Sequence, residues 1–250
     1  MSDFSPISRL LSIIELAGSK NRNLSVRELW SDVLGFDKND AFQAFEYSLS
    51  LYKLIENVEY TLSIVSHDNE SILGLYSQAF EKLKKIPPLI PYGSEWRNYE
   101  SLVSKDVVTS LEFGKAYYEA SSSNIESKIG DQYLDDLIEK VEILWGEVFN
   151  GDLPAGLRFK LLDDIVALKK SISKYELFGI DEVESAVSSL GGRVGLHAFE
   201  LDKLQNAAFF NSLNDVFDSF VSAAKAANES FAMIENGKRF ISIITGGSDS

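Results

Sequence analysis

Apolar residues recur along most of this chain at alternating intervals of three and four, the period of helices that bury one face. The most regular run is Phe210, Leu213, Phe217, Phe220, Ala224, Ala227, Phe231 and Ile234, inside a helix expected from about Leu201 to Asn236. That is an a/d seam. Phe209, Val216 and Val221 widen it beyond a two-stranded coiled-coil stripe, so a bundle core is favoured over a seam that joins two chains. A second run, Phe42, Phe45, Leu49, Tyr52, Ile55, Val58, Leu62 and Val65, predicts a long helix capped by Asp37. A third, Ile129, Leu134, Leu137, Val141, Leu144 and Val148, predicts a helix from a cap at Asn124 to about Phe149. A fourth carries Leu157, Leu161, Ile165, Leu168, Ile172 and Tyr175.

Punctuation between the runs agrees with this reading. Ser5 or Pro6 opens a helix to about Gly18, and Ser25-Val-Arg-Glu28 spells a capping box whose helix Gly35 stops. Another helix is expected from Ser71 to Ile86, followed by Pro87-Pro-Leu-Ile-Pro-Tyr-Gly-Ser94, where prolines remove donors and disfavour helix. Helix resumes from Ser104 to Ala120, and Ser121-Ser-Ser-Asn124 breaks it. Gly179 closes the fourth run, a short helix spans Asp181 to Leu190, and Gly191-Gly192 is expected to end that one. Phe240 to Ile244 is strand-like in composition, and residues 245–250 form a tail expected to be disordered. The expected fold is all-α, a multi-helix bundle of about eight to ten helices. It is read as one unit over 1–250, with a subdivision at 87–94 or 121–124 as the alternative.

Composition narrows the chemistry. The chain has no Cys and two His, His67 and His197. That removes thiolate nucleophiles, disulfides and Cys-ligated zinc, and it suits a reducing cytoplasm. The start of the chain lacks a basic stretch followed by an apolar core, and no run approaches the ~18 apolar residues of a membrane span. The net charge of −14 is spread out: −5 over residues 1–123, −6 over 124–199 and −3 over 200–250. Direct nucleic-acid binding, which needs clustered Lys and Arg, is not expected. The one basic knot, Lys82-Leu-Lys84-Lys85, falls in the last turn of an expected helix, where it complements the helix dipole.

One block resembles known sequences. Leu153-Pro154, Arg158, Leu161-Leu162, Ile165, Leu168, Ile172, Tyr175, Gly179, Val183, Ala186 and Gly191-Gly192 are similar to a helix–Gly–short-helix block of uncharacterised bacterial all-helical proteins. Some of those proteins are associated with mobile elements and phage defence. The resemblance spans residues 153–192 and implies a bacterial setting, but it transfers no catalytic residue.

Candidate chemical sites are sparse. His67-Asp68 matches the dipeptide of HD-type phosphohydrolases, but those sites gather several His, and a turn with Asp68 capping the next helix is the simpler reading. Arg193-Val-Gly-Leu-His197 resembles the Arg…His pair of HEPN-type ribonucleases, which are helical and common in bacterial defence. That family sets the pair further apart within a helix, whereas here it follows Gly191-Gly192 and encloses Gly195. Asp135-Asp136 with Glu139, and Asp163-Asp164, are carboxylate clusters; Asp135 and Glu139 share a helix face. No Glu-x-x-His accompanies them, so a solvated acidic face is expected and not a metal site. Neither a Gly-x-Ser-x-Gly elbow nor a phosphate loop is present.

The expectation is therefore a non-enzymatic protein-interaction module without a cofactor, such as a bacterial immunity, antitoxin or phage-defence component. Its partner would be a basic protein, met by Asp131, Asp135, Asp136, Glu139 and Glu142. Two copies joining through the 210–234 seam is a further option. The alternative function is a helical HEPN-like ribonuclease or a phosphohydrolase using Arg193 and His197.

Overall fold

The structure is a computed structural model that describes residues 4–66, 70–121, 127–197, 201 and 207–227. Ten α-helices and three short 3-10 turns make up the regular structure of these residues, and an isolated β-bridge joins Ser25 and Glu95. The fold is all-α. Contacts divide the chain into two compact units, Asp3–Ile125 and Glu126–Ser250.

In the first unit α1 is Pro6–Ser19, α2 Val26–Leu34, α3 Ala41–Val65, α4 Glu70–Leu83 and α5 Lys105–Ser121. The local signals act as read. Ser5 accepts from the Ser8 amide with Pro6 in the first turn, and Ser25 and Glu28 close the capping box at 3.2 and 3.1 Å. Gly35 ends α2 at φ 78°, a left-handed conformation that a Cβ would strain. The cap of α3 differs from expectation. Asp40, not Asp37, accepts from the amides of Phe42 and Gln43, while Asp37 is spent on the Asn39 amide of the preceding turn.

α1 lies at the centre of this unit, with Ile7, Leu10, Ile14 and Ala17 fully buried and with α2, α3 and α5 around it. The rotation of α3 corrects the expected stripe. Ile55, Val58 and Leu62 are buried as predicted, but the N-terminal half buries Ala44, Ser48 and Leu51, leaving Phe42, Phe45 and Leu49 outside. The face turned inward carries a polar anchor: the Ser48 hydroxyl donates to the Pro87 carbonyl at 2.6 Å, and that bond is buried. A hydroxyl so satisfied is an acceptable core group.

The proline segment belongs to this unit. Pro87–Leu89 forms a 3-10 turn, with Ile86, Pro87 and Ile90 buried beside it. It is tied to the start of α2 by Arg27 donating to the Pro91 carbonyl, the Val26 amide to Ser94 at 2.7 Å, and the Trp96 amide to Leu24 at 3.0 Å. Trp30 and Trp96 then meet edge to face, centroids 5.9 Å apart. Trp96–Asn98 and Glu100–Val103 are further 3-10 turns leading into α5. α4 ends at Leu83 and not at Ile86, so of the basic knot only Lys82 lies in its last turn; Lys82 pairs with Asp106 at 2.5 Å and Lys84 with Glu59.

The first of these pairs gives a pH signature. Lys82, with Ser104 beside it, holds the Asp106 carboxyl down from 3.8 to about 2. A depressed carboxylate stabilises the folded state above its unfolded value and loses that contribution as pH falls towards the folded one. Titration of the Asp106 carboxyl by NMR is expected to centre near 2, and Lys82→Met to return it towards 3.8. An Asp106 midpoint unmoved by Lys82→Met contradicts the pairing.

The second unit is a ring of four long helices: α6 Asp131–Asn150, α7 Ala155–Ser173, α9 Ile180–Leu196 and α10 Ala207–Ala226, with the single-turn α8 Tyr175–Phe178 between α7 and α9. α6 packs on α7 and α10, and α9 packs on the same two. Leu137, Val141, Leu144 and Val148 of α6 meet a face of α10 on which Phe209, Leu213, Val216, Phe217 and Phe220 are all buried. The described part of the aromatic seam is thus the interior of this unit.

Two boundaries differ from the sequence reading. α6 begins at Asp131, not near 124, because residues 127–130 are non-helical and the Ile129 amide is bonded to the Tyr175 hydroxyl at 2.8 Å. α9 does not stop at Gly191-Gly192 but runs to Leu196. Gly191 is there for proximity: a Cβ on it would lie 3.2 Å from the Phe217 ring. The expected Asn124 cap, residues 122–124 of the 121–124 break, His67-Asp68, Phe231, Ile234, the 240–244 run and the 245–250 tail lie outside the described residues.

Candidate functional site

Every carboxylate expected on the partner-binding helix is exposed: Asp131, Asp135, Asp136, Glu139 and Glu142. The cause is geometric. α6 carries six acids and one lysine in twenty residues, and burial of Leu137, Val141, Leu144 and Val148 turns the opposite side outward. Four acids fall on one stripe, since Asp131, Asp135, Glu139 and Glu142 are spaced four, four and three apart. Asp136 does not join them; it sits a third of a turn away against Lys140 at 3.9 Å. Glu142 pairs with Lys169 of α7.

What sequence reading missed is how the stripe ends. Continuing three and four residues further brings Trp145 and Phe149, whose rings stack at 4.7 Å and 11° with Phe149 half exposed. Acids followed by a flat aromatic pair on one face is an amphipathic strip. The signal is legible in the spacing from Glu142 to Trp145 to Phe149, three and then four residues. Phe159 and Val166 of α7 also stand exposed.

The alternative site is put together differently from expectation. Arg193 and His197 are brought onto one helix four residues apart, with His197 at the C-cap of α9. Arg193 is committed to structure, however. Its Nε and one terminal nitrogen grip both oxygens of Asp164, the latter at 3.0 Å, and Ser189 approaches the same carboxylate at 3.5 Å. Asp164 is 7% exposed. The carboxylate raises the affinity of the Arg193 guanidinium for its proton, so the arginine stays charged and locks α7 to α9. A pocket of about 310 Å³ in the first unit is lined by Lys20, Arg22, Trp96 and Glu100. Both of its cations are paired, Lys20 with Asp32 at 3.8 Å and Arg22 with Glu100 at 3.1 Å.

Among the described residues no three His, Cys, Asp or Glu side chains gather as a metal site would require. No described helix is long and apolar enough to cross a membrane. Comparison with family models, curated proteins and solved structures gives no match.

Arg193→Ala separates a structural from a catalytic arginine. Removing the guanidinium leaves the buried Asp164 carboxylate without its main donor, which costs about 1–3 kcal/mol. At roughly 2–4 °C per kcal/mol for a chain of this size, a melting temperature lower by about 2–12 °C is expected. His197→Ala is expected to leave melting nearly unchanged. An Arg193→Ala protein that melts like the parent but loses a cellular effect, together with the same result for His197→Ala, points instead to the nuclease chemistry.

Proposed function

We propose that this protein is a non-enzymatic interaction module whose α6 face binds a basic protein partner. The observation that supports this reading most strongly is the continuity of Asp131, Asp135, Glu139 and Glu142 with the stacked Trp145 and Phe149. Exposed acids steer a positively charged surface into encounter, and an aromatic pair supplies the desolvated anchor that charge alone does not. Aromatic residues are enriched at interface hot spots, whereas a merely solvating helix surface has no use for a stacked Trp–Phe pair at its edge. A bacterial immunity, antitoxin or phage-defence component, acting in the cytoplasm against a basic toxin, is the setting we favour. The Cys-free composition and the resemblance over residues 153–192 support it.

The experiment is a paired capture from the source cell, with the tagged parent and tagged Asp135→Lys/Glu139→Lys as baits at low salt. Both substituted positions are exposed and outside any core, so the two baits should melt within about 0.5 kcal/mol of each other. A basic protein retained by the parent and lost from the reversed bait is the expected result. Equal recovery on both baits removes α6 from the interface.

A further inference from the structure

The outer face of α3 is the least explained surface of the first unit. It shows six large or charged side chains in register, Phe45, Leu49, Lys53, Glu56, Tyr60 and Ile64, all exposed and all opposite the buried Ala44–Leu51–Val58–Leu62 side. The apolar members range from 49% exposed at Leu49 to 66% at Tyr60, and Phe42, one turn earlier, reaches 67%. Single exposed apolar residues are ordinary, but two clusters on one face of one helix, Phe42, Phe45 and Leu49 before the charged pair and Tyr60 and Ile64 after it, are not.

The order of this row is informative. It runs apolar, apolar, Lys, Glu, apolar, apolar, and its spacings of four, four, three, four and four read the same from either end. Laid antiparallel on a second α3, Phe45 faces Ile64, Leu49 faces Tyr60, and Lys53 faces Glu56, each contact occurring twice about a two-fold axis. Parallel pairing would instead set Lys53 on Lys53 and Glu56 on Glu56, which like charges oppose. The centre of the row carries one positive and one negative charge, Lys53 and Glu56, and the half-buried Glu46 adds one acid towards each end of the pair.

We propose that the outer face of α3 pairs two copies of this chain as an antiparallel, two-fold symmetric dimer. The inference is independent of the α6 reading, because it uses a different surface and a different partner. Four apolar side chains per copy at about 100 Å² each give roughly 800 Å² over the two copies, and the stems of Lys53 and Glu56 bring the total towards the ~1,000 Å² lower limit for a specific interface. An interface of this small size belongs to the weak, reversible class, so association is sought across the micromolar range.

Sedimentation velocity over that range tests it with the full chain. The parent is expected to shift from monomer to dimer, and Leu49→Glu to remain monomeric with an unchanged melting temperature. Lys53→Glu and Glu56→Lys each create two like-charge contacts and should weaken association at least about tenfold. The double exchange Lys53→Glu/Glu56→Lys restores opposite charges across the axis and should recover it. Because the chain has no native cysteine, Leu49→Cys/Tyr60→Cys should oxidise to a covalent dimer. Leu49→Cys alone should not, since antiparallel pairing keeps the two copies of position 49 about 16 Å apart along the axis. A parent that is monomeric throughout, a dimer indifferent to Leu49→Glu, a double exchange that fails to restore, or cross-linking by Leu49→Cys alone overturns the proposal.

Discussion

Phe220→Asp abolishes the fold of the four-helix ring in the second unit. Phe220 is fully buried on α10, in the layer where α10 meets α6. Losing the ring costs about 3–5 kcal/mol, as for other buried aromatics. The new carboxylate has no donor in that apolar layer, which adds several kcal/mol or forces the acid to be neutral. Together these approach the ~5–15 kcal/mol that holds a typical domain. Hydrogen exchange should show α6, α7, α9 and α10 losing amide protection together. Phe159→Asp, at a position 68% exposed, is the matched control and should shift stability by less than about 0.5 kcal/mol. A Phe220→Asp protein that keeps the parent's protection would put this face outside the core.

The second large effect belongs to the first unit. Trp30 is fully buried on α2 and meets Trp96, itself 2% exposed, edge to face. Trp30→Ala opens a cavity where the proline segment docks and is expected to cost about 3–5 kcal/mol. Trp30→Phe should cost much less, because the Trp30 indole N–H is buried without a hydrogen-bond partner among the described residues. Removing that donor offsets part of the lost ring area. Urea denaturation of the two variants checks the order. If Trp30→Phe is as damaging as Trp30→Ala, the size of the indole, and not aromatic contact, decides the site.

Local signals in the sequence were read well because their physics is local. The Ser25–Glu28 box, the Ser5 cap and the Gly35 stop each join groups a few residues apart, and nothing distant intervenes. The errors arose where a distant contact decided between two local possibilities. In α3 both Phe42–Phe45–Leu49 and Ala44–Ser48–Leu51 have helical spacing, and hydropathy favours the first. The second faces inward, where Ser48 meets the Pro87 carbonyl thirty-nine residues away, a contact that the local pattern does not encode. In α9 a Gly-Gly pair ordinarily ends a helix, yet Gly191 is there to admit the Phe217 ring of another helix.

The candidate sites divide the same way. Exposure of the α6 acids followed directly from where Leu137, Val141, Leu144 and Val148 had to point. The Arg193–Asp164 lock was visible only in part. Asp164 lies between Leu161 and Leu168 at core spacing, a sign that this acid is not solvated like Asp163, but the identity of its partner needed the α7–α9 packing.

The central claim is that the α6 acids steer a basic partner to this protein. Its most direct test is the association rate constant of the captured partner, measured by stopped flow across ionic strength with the parent and with Asp135→Lys/Glu139→Lys. Steering by exposed charge should fade as salt passes about 0.1 M, where the screening length is about 10 Å. The predicted result is a parent rate that falls steeply with salt and a double variant that is slower at low salt and nearly flat. A rate indifferent both to salt and to the double reversal would contradict the account and leave α6 an ordinary solvated helix.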